Sequence, residues 1–194
     1  MSETAVKTKV QFDGKYIAKL TITLLAITVV TSFLLSIVYT VTKPTIDALA
    51  EQTKQESMLA VMADATEFSE VAYTETTGVI DVQAAYSGTE LLGYCVQVEP
   101  TTGFGGAISM MVGVSTDGTV TGVSVLSHEE TAGLGTKAMT DEFLSQYIGR
   151  SGTLTVKTGA DTDIEHISGA TVTSSAITDG VNIALAFIAE GGVN

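Results

Sequence analysis

The chain has 194 residues and carries a formal charge of −13, with a pI near 4.3. That length accommodates one domain, or one domain with an appendage, and the acidity argues against nucleic acid as a partner because phosphate binding needs clustered Lys and Arg. The single cysteine, Cys95, excludes an intrachain disulfide, a CxxC redox pair and a Cys-rich metal site. It lies in the alternating run GYCVQV and reads as a small buried hydrophobe.

The charge is unevenly spread along the chain. Residues 1–19 set Lys7, Lys9, Lys15 and Lys19 against Glu3 and Asp13, a balance of +2, which leaves 5 basic and 20 acidic residues in 20–194. Next comes LTITLLAITVVTSFLLSIVYTVT, residues 20–42, with no charge at all. As a helix of 23 residues it would reach about 34 Å, enough for a hydrocarbon layer of about 30 Å. Tyr16 and Tyr39 stand near its ends, where aromatic rings favour the membrane interface. The apolar run is too long for a cleaved signal peptide, and no small-residue cleavage site precedes Lys43. The lysine asymmetry predicts a single-pass span in the cell (inner) membrane, with residues 1–19 cytoplasmic and the acidic remainder outside.

Pro44 ends the apolar run, as proline does at a helix boundary. After it, Ile46, Leu49, Ala50, Met58, Leu59 and Met62 recur at helical spacing, so 43–70 is expected to be a connecting amphipathic helix. From 71 to 194 the texture becomes that of an extracytoplasmic domain. Short β-branched or alternating runs (VAYTETTGVIDVQAAYSG, ELLGYCVQVEP, AISMMVGVSTDGTVTGVSVLSH, GTLTVK) are separated by Gly-rich turns, and STDGTV is a hairpin signal. TKAMTDEFLSQYIG has helical spacing, and in SSAITDGVNIALAFIAE an apolar face forms from Ala176, Ile177, Val181, Ala184, Leu185 and Ile188. The expected fold class is α+β, an antiparallel sheet with packed helices preceded by one N-terminal transmembrane helix.

Hydrolytic chemistry finds little support. HEETA lacks the second histidine of a zinc protease helix, no GxSxG elbow occurs, and SGAT has no lysine three residues after its serine. GFGGA, 103–107, has neither phosphate-loop nor dinucleotide spacing and by itself reads as a turn or bulge. Met110 and Met111 read as core. Two segments do look like parts of one site. In HEETAGLGTK, 128–137, Gly133 and Gly135 permit positive φ and close approach of a flat ligand, with Leu134 placed to cover a ring; the plain alternative is a strand-to-helix loop capped by Thr136. In SGATVTSS, 168–175, a cluster of hydroxyls precedes a helix, whose free N–H groups and dipole suit a phosphate. Capping accounts for part of the cluster. Because Lys157 is the nearest basic residue upstream and none follows, a phosphate here is easier to understand if it is bonded to the chain.

SGAT-x-T resembles the flavinylation motif of proteins that carry FMN through a phosphoester to threonine, the FMN-binding-domain subunits of Rnf electron-transport complexes and of the sodium-pumping NADH:quinone oxidoreductase. HEETAGLGTK is similar to that family's H-x-E-T-P-G-L-G segment, with Ala132 where proline is usual, and GFGGAISMMVGV to its G-Y-G-G strand. The chain's compact length favours the Rnf type of this family, its G subunit. The resemblance implies covalent FMN on Thr171, with Thr173 positioning the phosphate and Ser168, Gly169 and Ala170 shaping the turn. Glu130, Thr131, Gly133, Leu134 and Gly135 would approach the isoalloxazine, with Leu134 packing on it. Glu165 stands three residues before Ser168 where the transferase usually meets aspartate, so modification is expected to survive at a slower rate. The implied function is electron transfer within a ferredoxin:NAD oxidoreductase that moves ions, alongside other membrane subunits, a flavin transferase and membrane lipid. An NqrC-type subunit, a self-contained extracytoplasmic reductase, and an anchored binding module without flavin are the alternatives.

Overall fold

In a computed structural model, residues 14–157 and 163–193 are described. Lys7 and Lys9, on which the expected membrane orientation partly rests, lie outside the described residues. The chain divides into two compact units between Leu49 and Ala50.

The described part of the first unit is helical. It belongs to α1, Gly14–Val61, whose apolar part has a mean hydropathy of 2.3 and is long enough to cross a membrane. The threonines of the span answer their own polarity: Thr21, Thr23, Thr28, Thr31 and Thr40 donate to carbonyls three or four residues back. Such internal bonding is what a lipid environment demands. Helix α1 does not stop at Pro44, as the sequence reading expects; the proline lies inside it. Proline removes one N–H and crowds the carbonyl four residues earlier, but the helical turns on both sides, with the strong helix formers Ala48, Leu49, Ala50 and Glu51 following, carry the helix past that single defect.

The second unit begins with the last turns of α1. The connecting-helix expectation for 43–70 changes here, because α1 ends at Val61 and Glu67–Glu70 is β1, the edge strand of a sheet. That sheet continues with β2 (Val79–Ser87), β3 (Glu90–Val98), β4 (Ile108–Ser115) and β5 (Val120–His128), an antiparallel meander in chain order. The β4–β5 turn forms at the expected Asp-Gly, with Gly118 at φ +80° and its N–H donated to the Ser115 carbonyl. TKAMTDEFLSQYIG is not one helix. It breaks into a 3-10 turn (Gly135–Met139), the short α2 (Asp141–Leu144) and a second 3-10 turn (Ser145–Tyr147). The interruption is Thr140, extended at ψ 150°, whose N–H and hydroxyl both turn back to the Lys137 carbonyl. Two-residue strands β6 (Val156–Lys157) and β7 (Ile164–Glu165) pair in parallel, a small exception to the antiparallel expectation. Helix α3, Thr171–Ala189, closes the domain. It too is apolar enough to span a membrane, but most of it is buried within the fold, as befits a core helix.

Alternation along the strands sends side chains to two layers. Met110, Val112 and Val114 join Ala176, Ile177, Val181 and Leu185 of α3 in the main core. Met111 and Cys95 join Met58, Val61 and Met62 in a smaller cluster. The burial of Cys95, Met110 and Met111 agrees with the sequence reading, and desolvation pushes the Cys95 thiol up to about 12. Gly113 and Gly122 are paired across β4–β5 where α1 ends. A Cβ on Gly113 would lie 2.6 Å from the Val61 carbonyl oxygen, and one on Gly122 would lie 2.8 Å from Val61 Cα. The glycine pair thus lets the helix end settle on the sheet, where the Thr121 hydroxyl donates to the Val61 carbonyl at 2.6 Å.

Lys54 of α1 and Asp81 of β2 form a partly buried ion pair of 2.7 Å. Burial opposes both charges, yet hydrogen bonding and mutual attraction win: Asp81 is held below its ordinary range and Lys54 above its own. A depressed carboxylate stabilises above its unfolded pKa and loses that as pH falls through the folded one; a raised lysine does the reverse at the alkaline end. Lys54→Met should therefore cost about 1 kcal/mol at neutral pH. The difference should vanish in denaturant titrations run below the carboxylate range or above the lysine range.

Candidate functional site

Helix α3 starts at a locked turn. Ile167 and Ala170 close it through the Ala170 N–H, Gly169 takes φ +81°, and the buried Ser174 hydroxyl accepts from the Ile167 N–H at 3.1 Å while donating to the Ala170 carbonyl at 3.0 Å. The residue at the cap is Ala170, and no side chain caps the helix. Capping therefore explains neither Ser168 nor Thr171. Of the hydroxyls in this run, Thr173 and Ser174 are buried and committed to protein partners. Thr171 is exposed, and its hydroxyl has no protein partner among the described residues. The N–H groups of Thr171, Val172 and Thr173 precede the first intrahelical bond and also lack acceptors there, and no acidic residue occupies the first turn. The positive end of α3 is open.

Facing this helix start is the segment after β5. Its centre is Glu130, only 8% exposed. One carboxylate oxygen accepts the Gly105 N–H at 3.0 Å and the other the Thr173 hydroxyl at 2.8 Å, while the Glu130 N–H donates to His128 Nδ1 at 3.2 Å. A single buried carboxylate thereby joins three segments: the Gly-rich loop before β4, the loop after β5, and the first turn of α3. Gly135 is needed for this join, since a Cβ there would lie 2.6 Å from the Glu130 oxygen. The missing side chain of Gly135 makes room for Glu130. Gly133 does take positive φ, +76°, and its N–H is accepted by the Thr136 hydroxyl, so Thr136 closes the turn instead of capping a helix. The Thr131 carbonyl accepts from Leu134 and Gly135 and leaves the Leu134 side chain 44% exposed.

These parts enclose a cleft of about 300 Å³. Glu130, Thr131, Leu134, Gly135, Gly169, Ala170, Thr171 and Thr173, all anticipated from sequence, line it; Ser168 and Gly133 flank it without lining it. Phe104 and Val172 also line it and were not anticipated. The clue was the aromatic residue inside GFGGA, a segment whose glycines alone gave no role. The cleft has a polar end at the start of α3 and an apolar mouth. Among the described residues, no lysine or arginine lines it. A larger cavity of about 490 Å³ runs along β5 towards Leu144 and Ile148, but none of the anticipated site residues lines it.

The donor set suits FMN: unpaired N–H groups and a free hydroxyl for the phosphate end, and exposed apolar side chains for a flat ring. Similarity to known proteins points the same way. Residues 103–186 match the FMN-binding domain, a range that holds both walls of the cleft. The class is therefore a flavin-binding domain following an apolar helix.

Relatives narrow this further. The chain is 32% identical to the G subunit of the Na(+)-translocating ferredoxin:NAD(+) oxidoreductase complex of Acetobacterium woodii, over 92% of this chain and 95% of that protein. It is 35% identical to the G subunit of the proton-translocating ferredoxin:NAD(+) oxidoreductase complex of Clostridium ljungdahlii, over 80% of this chain and 83% of that one. The crystal structure of Shewanella oneidensis NqrC aligns with a TM-score of 0.46 at 21% identity, covering 64% of this chain and 67% of that one. The chain belongs to the family of G subunits of ion-translocating oxidoreductase complexes.

Proposed function

We propose that this chain is the electron-carrying subunit of a membrane-bound Rnf-type ferredoxin:NAD oxidoreductase that couples electron flow to ion movement, with its FMN joined by a phosphoester to Thr171. The observation that carries the reading is the Thr171 hydroxyl, exposed and without a partner among the described residues, at an open helix start on the cleft of an FMN-binding domain. Attachment would form an Oγ1–phosphorus bond and break the phosphoanhydride bond of a flavin dinucleotide used by the transferase, with the nucleoside monophosphate leaving and the hydroxyl proton released. Bound FMN supplies the redox chemistry. The residues of the chain position and screen it: the N–H groups of Val172 and Thr173 face the phosphate end, Glu130 holds the walls together, and Leu134 covers the ring. No acid–base residue is required for a relay, which suits a cleft whose one carboxylate among the described residues is committed to protein donors. The lysines that precede the span 20–42 favour a cytoplasmic location for residues 1–19 and an outer location for the domain, where a dissociable cofactor would be lost. Its partners are the other membrane subunits of the complex, surrounding lipid and, during maturation, the flavin transferase.

The test uses the full chain, coexpressed with a flavin transferase and purified in detergent. Yellow colour that remains with the acid-precipitated protein, and that in the native protein bleaches with reductant and returns in air, is the expected result. Flavin released into the acid supernatant would reject the covalent link, and colourless protein would reject the cofactor altogether.

A further inference from the structure

The GFGG loop has no part in the attachment chemistry, yet it is built with unusual constraint. A Cβ on Gly103 would lie 2.3 Å from the Gly106 carbonyl oxygen and 2.8 Å from a Glu130 carboxylate oxygen; one on Gly105 would lie 2.1 Å from the Glu129 carbonyl oxygen. The loop backbone is pressed against residues 129–130 and pinned there by the Gly105 N–H bond to Glu130. On this fixed loop stands Phe104, 74% exposed. Six large apolar side chains are exposed among the described residues of the second unit, namely Leu59, Ile80, Phe104, Leu134, Ile148 and Val172. Three of them, Phe104, Leu134 and Val172, line the one cleft that also holds Thr171. Scattered apolar exposure needs no explanation, but an aromatic ring held in water by a rigid loop beside two other apolar side chains does.

We infer that Phe104 is a flavin-contacting residue whose ring lies against the isoalloxazine and keeps water from it. The inference rests on the cofactor reading of the same cleft and assigns a contact to a residue outside the attachment motif. A flat aromatic ligand satisfies an exposed phenyl ring through stacked or edge contacts, and the loop requires no rearrangement to offer it. The tether on Thr171 fixes one end of FMN, while Phe104 restrains the other.

The experiment compares wild type, Phe104→Ala and Phe104→Tyr as full-length protein coexpressed with a flavin transferase. Two signals are read: flavin fluorescence of the denatured gel band, and iodide quenching of flavin in the native protein at a constant high ionic strength that screens the acidic surface. In Phe104→Ala the band should keep its fluorescence while the quenching constant rises severalfold; Phe104→Tyr, which retains the ring, should quench as wild type does. Equal quenching in wild type and Phe104→Ala overturns the contact. Loss of band fluorescence in Phe104→Ala alone also overturns it, and moves the residue to recognition by the transferase. A dark wild-type band defeats the covalent link, and native wild-type protein without flavin absorbance defeats the cofactor reading itself, outcomes distinct from both.

Discussion

Thr171→Ala is expected to remove all covalent flavin while leaving the domain folded. The two halves of that statement have separate grounds. Thr171 is exposed and makes no side-chain hydrogen bond among the described residues, so its loss should change stability by no more than about 0.5 kcal/mol. Its hydroxyl is also the one in the first turn of α3 that lies free on the cleft, since Thr173 is 2% exposed and bonded to Glu130, and Ser174 is tied into the turn. Neither neighbour can substitute without breaking a buried bond. Thr171→Ser, which restores a hydroxyl at the same place, should recover fluorescence of the denatured band. Thr173→Val should keep it in the folded fraction, although leaving the Glu130 carboxylate one donor short costs about 1–3 kcal/mol. A fluorescent Thr171→Ala band would refute the assignment.

Glu130→Ala should be the most damaging single change at the site for stability. It strips acceptors from the Gly105 N–H and the buried Thr173 hydroxyl and opens a small void beneath Gly135. Two buried donors left unsatisfied, plus lost packing, amount to about 3 kcal/mol, which lowers the midpoint of thermal unfolding by about 6–12 °C for a domain of this size. Glu130→Gln retains one acceptor oxygen but turns an amide donor towards the other donor, so about half the loss should remain. Circular dichroism melts of the three proteins in detergent decide this. If Glu130→Ala melts like wild type, the carboxylate does not join the three segments.

What could be read from sequence follows a physical pattern. The apolar span, the Asp117-Gly118 turn and the apolar face of α3 were legible because each is fixed by residues close together in the chain. Most of the cleft was legible for a related reason: the two motifs that face each other across it are short and contiguous, and the family resemblance named their residues. Strand β1 was not, since EFSE holds a single apolar residue, Phe68, too little to show a strand pattern, and is a strand because β2 offers it an edge. The continuation of α1 through Pro44 was hidden likewise; a proline states a local cost, and only the helix on either side decides whether it is met. Gly135 shows the subtler case. The sequence displays a glycine that something must approach closely, but that the neighbour is Glu130, five residues earlier, is a fact of tertiary structure.

The helix that carries Thr171 is also the central element of the main core, with Ile177, Val181, Ala184 and Leu185 packed on the sheet. Its first turn is tied to that body by Ser174. Amide hydrogens from Ser174 onward should therefore exchange with solvent only through opening of the whole domain, at rates set by its full unfolding free energy. Under the attachment proposed above, whatever swing an electron relay needs would come from the rotatable bonds of the threonine side chain, the phosphoester and the ribityl chain. The backbone that bears them stays still.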